Sequence, residues 1–268
     1  MVRVGLVGCG TIGTQLARAI QRQYRHAARI VALHDCHPTH AIVLQRRLRH
    51  HPPVCSLPTL IRKSHLVLEA ASAQISGQVV RRALRAHRDV LVMSVGGLLE
   101  DRTWQRIARR SRGRVYIPSG ALAGLDGVKA MAVGTIRSVS LTTRKPPRAL
   151  SSAPYVQRRR LRLDHLKQPS VIFEGSPRDV VKAFPQNTNV AAALALASGA
   201  SASRARIRVV ADPGIRANVH ELEVIGDCGS VRCRIQSRPS ANPKTSEIAV
   251  RSAVATLGRI FDPVTIGT

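Results

Sequence analysis

Residues 2–7 form a short run of mostly branched apolar side chains that stops at Gly8-Cys9-Gly10. From Thr11 the apolar positions change to helical spacing, with Ile12, Leu16, Ala17 and Ile20 on one face. A second apolar run at 30–34 ends at Asp35, so strand, glycine turn, helix and strand fit within about 35 residues. The rhythm continues with a helix predicted over 38–50, a strand over 66–70, a helix over 75–87 and a strand over 90–93. A helix over 99–111 follows, then a strand at 115–117 that ends in Pro118-Ser119-Gly120. Strands that are apolar along their length, alternating with helices, predict a parallel sheet covered on both faces.

After residue 120 the pattern changes. A helix is predicted over 122–133, and the alternation at 137–143 reads as a strand with one face in solvent. Segment 145–168 is rich in Pro, Arg and Ser and reads as a loop or insertion. A strand at 171–173, helices near 177–184 and 189–199, and strands near 205–210, 218–225 and 230–236 predict an α+β second domain. The last helix, 245–260, is expected to return and cover the first domain. The expected division is 1–119 plus 244–268 for the first domain and 120–243 for the second, with no internal repeats.

Composition narrows the class. A chain of 268 residues can bury two cores of ordinary size. No apolar run approaches the ~20 residues that cross a bilayer; the Ala-rich stretch at 189–200 is too short. The N-terminus lacks the basic region of a signal peptide, so a cytosolic location is expected. Five cysteines, none in a CxxC pair, argue against a disulfide framework and against a structural zinc site, and no metal is expected. The net charge of +27 raises the question of nucleic acid. Only six of the 42 basic residues are lysines, aromatics make up 3% of the chain, and the charge is dispersed, as in Arg81-Arg82, Arg109-Arg110 and Arg158-Arg159-Arg160. Solvated arginine-rich faces account for this pattern better than a nucleic-acid module does.

Gly8-x-Gly10-x-x-Gly13 follows a predicted strand and opens a predicted helix, as a dinucleotide fingerprint requires. The glycines allow a tight turn and close approach of a diphosphate, which rests on the helix N-terminus beside Thr11 and Ile12. Asp35 lies 22 residues past Gly13, where a carboxylate accepts from a ribose hydroxyl and repels a 2′-phosphate. The first domain is therefore read as a Rossmann, doubly wound parallel sheet. NAD is favoured, with NADP possible because basic residues lie nearby. Ligands bind at the carboxyl ends of such a sheet, which makes Ala71, Ser72 and Ser94 further cofactor candidates.

More specific stretches follow. They include Val67-Leu68-Glu69-Ala70-Ala71-Ser72, the run from Ile117 to Asp126, Thr142-Thr143-Arg144-Lys145-Pro146-Pro147 and Phe173-Glu174-Gly175-Ser176. The run from Phe184 to Ala192, Asn218-Val219-His220-Glu221 and Asn242-Pro243-Lys244-Thr245-Ser246 complete the set. In this order, and from Gly5 to Leu257, the chain closely resembles the L-aspartate dehydrogenase family. The resemblance implies that His220 is catalytic and that Ala123 and Asn189 contact the cofactor near its nicotinamide. It implies NAD(P)-dependent oxidation of L-aspartate to iminoaspartate, then oxaloacetate and ammonia, feeding NAD biosynthesis, with a homodimer as the working unit.

The chemistry is consistent with this. A histidine titrating near neutrality can deprotonate the water that attacks an imine. A dicarboxylate needs cationic or amide donors, for which Ser119, Lys145, Asn187 and Lys244 are candidates. The arginine content and the basic 155–163 segment depart from the family. The alternatives are a two-domain reductase of another small acid, resembling dihydrodipicolinate reductase or homoserine dehydrogenase, and a non-enzymatic, basic nucleotide- or nucleic-acid-binding protein.

Overall fold

A computed structural model describes residues 1–185, 189–238 and 246–267 of the chain. The chain divides into two compact units, Met1–Pro118 with Val250–Ile266, and a second formed mainly by Ser119–Ala249. Among the described residues no helix is long and apolar enough to cross a membrane.

The first unit runs β1 (Val2–Val7), α1 (Thr11–Gln23), β2 (Ala28–His34), α2 (Pro38–Arg47), α3 (Leu57–Lys63) and β3 (Leu66–Glu69). It continues with α4 (Ala73–Arg85), β4 (Asp89–Val92), α5 (Gly97–Glu100), α6 (Thr103–Ala108) and β5 (Val115–Tyr116). The strands form one parallel sheet in the order β2-β1-β3-β4-β5. All four residues of β3 are buried, which explains why its sequence shows no polar alternation.

Two features differ from the sequence reading. The helix expected over 99–111 is broken into α5 and α6, because the Asp101 carboxylate accepts the Thr103 backbone N–H at 2.9 Å and its hydroxyl at 2.7 Å. Asp101 itself is extended, with φ −120° and ψ +105°, and ends α5. Helix α3 was not foreseen; it has only seven residues, too few for a periodic signal, yet Leu57, Leu60 and Ile61 are buried.

The second unit contains α7 (Leu125–Met131), β6 (Ile136–Lys145), α8 (Pro147–Leu150), α9 (Pro154–Arg158), β7 (Ser170–Gly175) and α10 (Pro177–Ala183). After these come α11 (Asn189–Ala197), β8 (Ala205–Ala211), β9 (Asn218–Gly226) and β10 (Ser230–Ser237). The strand order is β10-β9-β6-β8-β7, with only the β6–β8 pair parallel. One face carries Val139, Leu141, Leu222, Val224, Ile207 and Val209 into the core with Val128, Val180 and Leu194 of the helices. The other face carries charges paired across strands: Arg144 with Glu221 at 3.1 Å, Arg208 with Glu174 at 2.8 Å and Arg232 with Glu223 at 2.5 Å.

Segment 145–168, expected as a loop, holds α8, α9 and a 3-10 turn at Leu163–His165. Prolines start both helices, and buried Leu150, Val156 and Leu163 tie the segment to the core. Each piece presents one apolar anchor per turn, too sparse to read as periodicity.

The final helix, α12 (Glu247–Phe261), places Ala253 and Leu257 in the core of the first unit. There the Tyr24 hydroxyl donates to the Val254 carbonyl at 3.2 Å and the Tyr24 and Phe261 rings lie 5.4 Å apart.

Candidate active site

In the first unit the chain leaves β1 through Gly8, whose φ of +90° lies in the region that favours glycine. A Cβ on Gly8 would strike the Ala70 backbone at 2.5 Å, and one on Gly13 would collide with the Gly8 carbonyl oxygen. Both glycines are therefore required by the turn itself. Gly10 is different: a Cβ there would meet nothing within 4 Å, so the turn itself does not require a glycine at this position. Gly10 caps α1, no side chain caps the helix, and its first turn holds no acidic residue. Thr11 is exposed and Ile12 packs in part against the core. A 13-residue helix thus presents its positive end and its first N–H groups to open space, the surroundings a diphosphate requires.

Asp35 stands beside this turn. One carboxylate oxygen accepts the Cys9 N–H at 2.7 Å, and the other accepts the His37 N–H at 2.8 Å. The side chain is only 7% exposed, with the His40 ring 3.8 Å away. Asp35 therefore clamps the glycine turn to the end of β2. Burial and the neighbouring Asp35 push the Cys9 thiol up to about 12, which makes it an inert packing group.

Ala71, Ser72 and Ser94 follow the carboxyl ends of β3 and β4, with Ala71 exposed and Ser94 nearly buried. Glu69 links these segments, and the sequence reading had passed over it. Its fully buried carboxylate accepts the Ala71 N–H and the Ser94 N–H, each at 2.9 Å. Burial raises its pKa, and the backbone donors pull the other way. The available signal was an acid ending the otherwise apolar strand Leu66-Val67-Leu68.

In the second unit the inner face of the sheet is apolar along most of its length and polar at one end. There β6 places Thr143 and Lys145, and β9 places Asn218 and His220, all buried. Antiparallel register sets Thr143 opposite His220, and the Thr143 hydroxyl lies 3.2 Å from His220 Nδ1. Burial, reinforced by the charge of Lys145, pushes the pKa of His220 down to about 3. A histidine titrating near neutrality was expected; its surroundings keep the ring neutral instead. Burial also lowers Lys145 to about 8. The structure thus brings His220 and Lys145 into electrostatic contact.

The other candidates in this unit lie off the sheet. Ser119 is half-buried and its carbonyl accepts the Leu122 N–H at 3.2 Å. Ala123 is exposed just ahead of α7, and Asn189 is exposed as the first residue of α11. Asn187 and Lys244 fall outside the described residues. Thr143 was missed as a site residue, and Ser237, opposite Asn218 on β10, is a buried hydroxyl without a partner among the described residues.

Residues 126–260 match the family model described as aspartate dehydrogenase, C-terminal, and residues 8–118 match the homoserine dehydrogenase NAD-binding domain. The L-aspartate dehydrogenase of Methanosarcina barkeri is 40% identical over the whole of both chains, and that of Methanosarcina acetivorans is 41% identical, also over both in full. The chain belongs to the L-aspartate dehydrogenase family. The crystal structure of aspartate dehydrogenase from Thermotoga maritima shares the fold, with a TM-score of 0.73 at 22% identity over all of both chains. The enzyme is thus a dehydrogenase of the amino-acid class, and a pyridine nucleotide is its cofactor.

Proposed function

We propose that the chain oxidises L-aspartate to iminoaspartate, which water converts to oxaloacetate and ammonia, with NAD preferred over NADP. The reading rests on one observation: a chain matched end to end by L-aspartate dehydrogenases places a buried, neutral histidine beside a buried lysine. The dinucleotide, when bound, supplies the hydride acceptor. The N–H groups that open α1 hold its diphosphate, and Asp35 accepts from a ribose hydroxyl. Glu69 fixes the backbone of Ala71 and Ser94 at the strand ends. With Nδ1 engaged by Thr143, His220 has Nε2 left to hydrogen-bond the water that attacks the imine. Ala123 and Asn189 contact the cofactor in this reading, while Ser119, Asn187 and Lys244 are candidates for holding the substrate carboxylates. The proposal extends to a homodimer, a cytosolic location and a role in supplying iminoaspartate to NAD biosynthesis, as the resemblance to the family implies.

The test is formation of reduced cofactor with L-aspartate, D-aspartate, L-glutamate, L-alanine and L-homoserine, using NAD and NADP in turn. Turnover confined to L-aspartate is expected. Turnover of L-homoserine with none of L-aspartate would sink the assignment. Cofactor choice is tested separately with Asp35→Ala, which should raise KM for NAD more than KM for NADP. An unchanged ratio would place Asp35 outside the ribose pocket.

A further inference from the structure

Hydride can leave the α-carbon only when the nitrogen lone pair is free to close the C=N bond, and an ammonium group has none. A base must therefore act before the redox step, and a ring held near pKa 3 is a poor acceptor from an amine. Among the described residues, Lys145 is the other buried proton-carrying group at the polar end of the inner face. It sits two residues beyond Thr143 on the same face of β6, 4% exposed, and its charge acts on His220. Two described charged groups near it point elsewhere. Asp212, just past β8, turns its carboxylate onto its own loop and accepts the Gly214 N–H at 2.9 Å, and Arg144 pairs with Glu221 on the opposite face.

We propose that Lys145 is a second catalytic residue, whose neutral Nζ takes a proton from the ammonium group of the substrate. This rests on the reading that L-aspartate is the substrate. The step is a proton transfer alone: one substrate N–H bond breaks, its electron pair stays on the substrate nitrogen, and a new N–H bond forms from the lone pair of Nζ. The lysine then sheds the proton to water, and nothing is oxidised or reduced. Burial makes this feasible, because at a pKa of about 8 the lysine is neutral in about a tenth of molecules at pH 7. A lysine kept only to hold a substrate carboxylate would gain nothing from losing its charge.

The two roles separate on Lys145→Arg, since arginine keeps the charge but cannot give up its proton. We expect kcat on L-aspartate to fall about 10²–10⁴-fold in Lys145→Arg and Lys145→Ala, with KM for the cofactor within about twofold. Added ethylamine should restore part of the Lys145→Ala rate in proportion to its free-base form. The proposal is overturned if Lys145→Arg retains kcat within about fivefold, or if ethylamine restores nothing to an alanine variant that still binds cofactor. Should that variant misfold, Lys145→Met replaces it in the same rescue, with cofactor binding followed by fluorescence. The wild type supplies an arm that needs no variant: kcat should rise with pH through an inflection near 8, and a flat profile from pH 6 to 9 also overturns the proposal. Failure of the wild type to turn over L-aspartate would sink the assigned reaction instead, so the two failures are distinguishable.

Discussion

His220 shows how far a residue's chemistry is set by what surrounds it. Buried opposite Thr143 and beside Lys145, its ring is neutral across the physiological range, so it acts as a hydrogen-bonding group rather than as a titrating base. His220→Ala should lower kcat about 10²–10⁴-fold at every pH while the inflection near pH 8 stays, because that inflection belongs to Lys145. Near-normal kcat on L-aspartate would mean that His220 is structural. The same burial affects stability. The folded chain binds fewer protons than the unfolded one between about pH 3 and the ordinary histidine value of 6.5, so this contribution is present above 6.5 and is lost as pH falls towards 3. Thermal melts of His220→Gln should therefore vary less steeply with pH over that interval than those of the wild type. Equal slopes would show that the ring is not buried in its neutral form.

At the scale of elements, the glycine turn separates folding from binding. Gly13 faces the Gly8 carbonyl and has no room for a methyl group, whereas Gly10 faces open space with φ at −73°, which any residue tolerates. Gly13→Ala should fail to form the β1–α1 turn and should lower Tm markedly. Gly10→Ala should keep the wild-type Tm and raise KM for the cofactor by roughly tenfold, as about 1.4 kcal/mol of diphosphate contact is lost. Equal cofactor KM values in Gly10→Ala and the wild type would mean that the diphosphate does not rest there. The fingerprint spacing identified the motif, but only the local packing distinguishes glycines needed by the turn from the glycine that leaves space. The break between α5 and α6 is similar: the apolar pattern runs across Asp101, and only the extended backbone there ends α5.

At the scale of the whole molecule the charge of +27 demands a physical account. Part of it is neutralised locally, since Arg144, Arg208, Arg232 and Arg234 pair with Glu221, Glu174 and Glu223 on the outer sheet face. Such exposed pairs contribute about 0–1 kcal/mol each and are screened by salt. If most of the remaining arginines are simply solvated, duplex DNA affinity at physiological salt should be no tighter than about 10⁻⁴–10⁻⁶ M. Nanomolar, sequence-selective binding in a gel-shift titration would show that the charge is a designed surface.

By itself the sequence determined the order of the strands and of the longer helices, the dinucleotide turn and the family, because periodicity, glycine spacing and ordered motifs are local properties of the chain. It also singled out His220 and Lys145, but as residue types with ordinary acidities. Tertiary structure decided what those residues can do. The register of β6 against β9 puts Thr143 on Nδ1 and buries histidine and lysine together, and low local polarity lowers both pKa values. It decided likewise that Glu69 closes the ends of β3 and β4 by accepting N–H groups 2 and 25 residues away along the chain. A carboxylate's partners across a sheet depend on pairing that no short window of sequence contains.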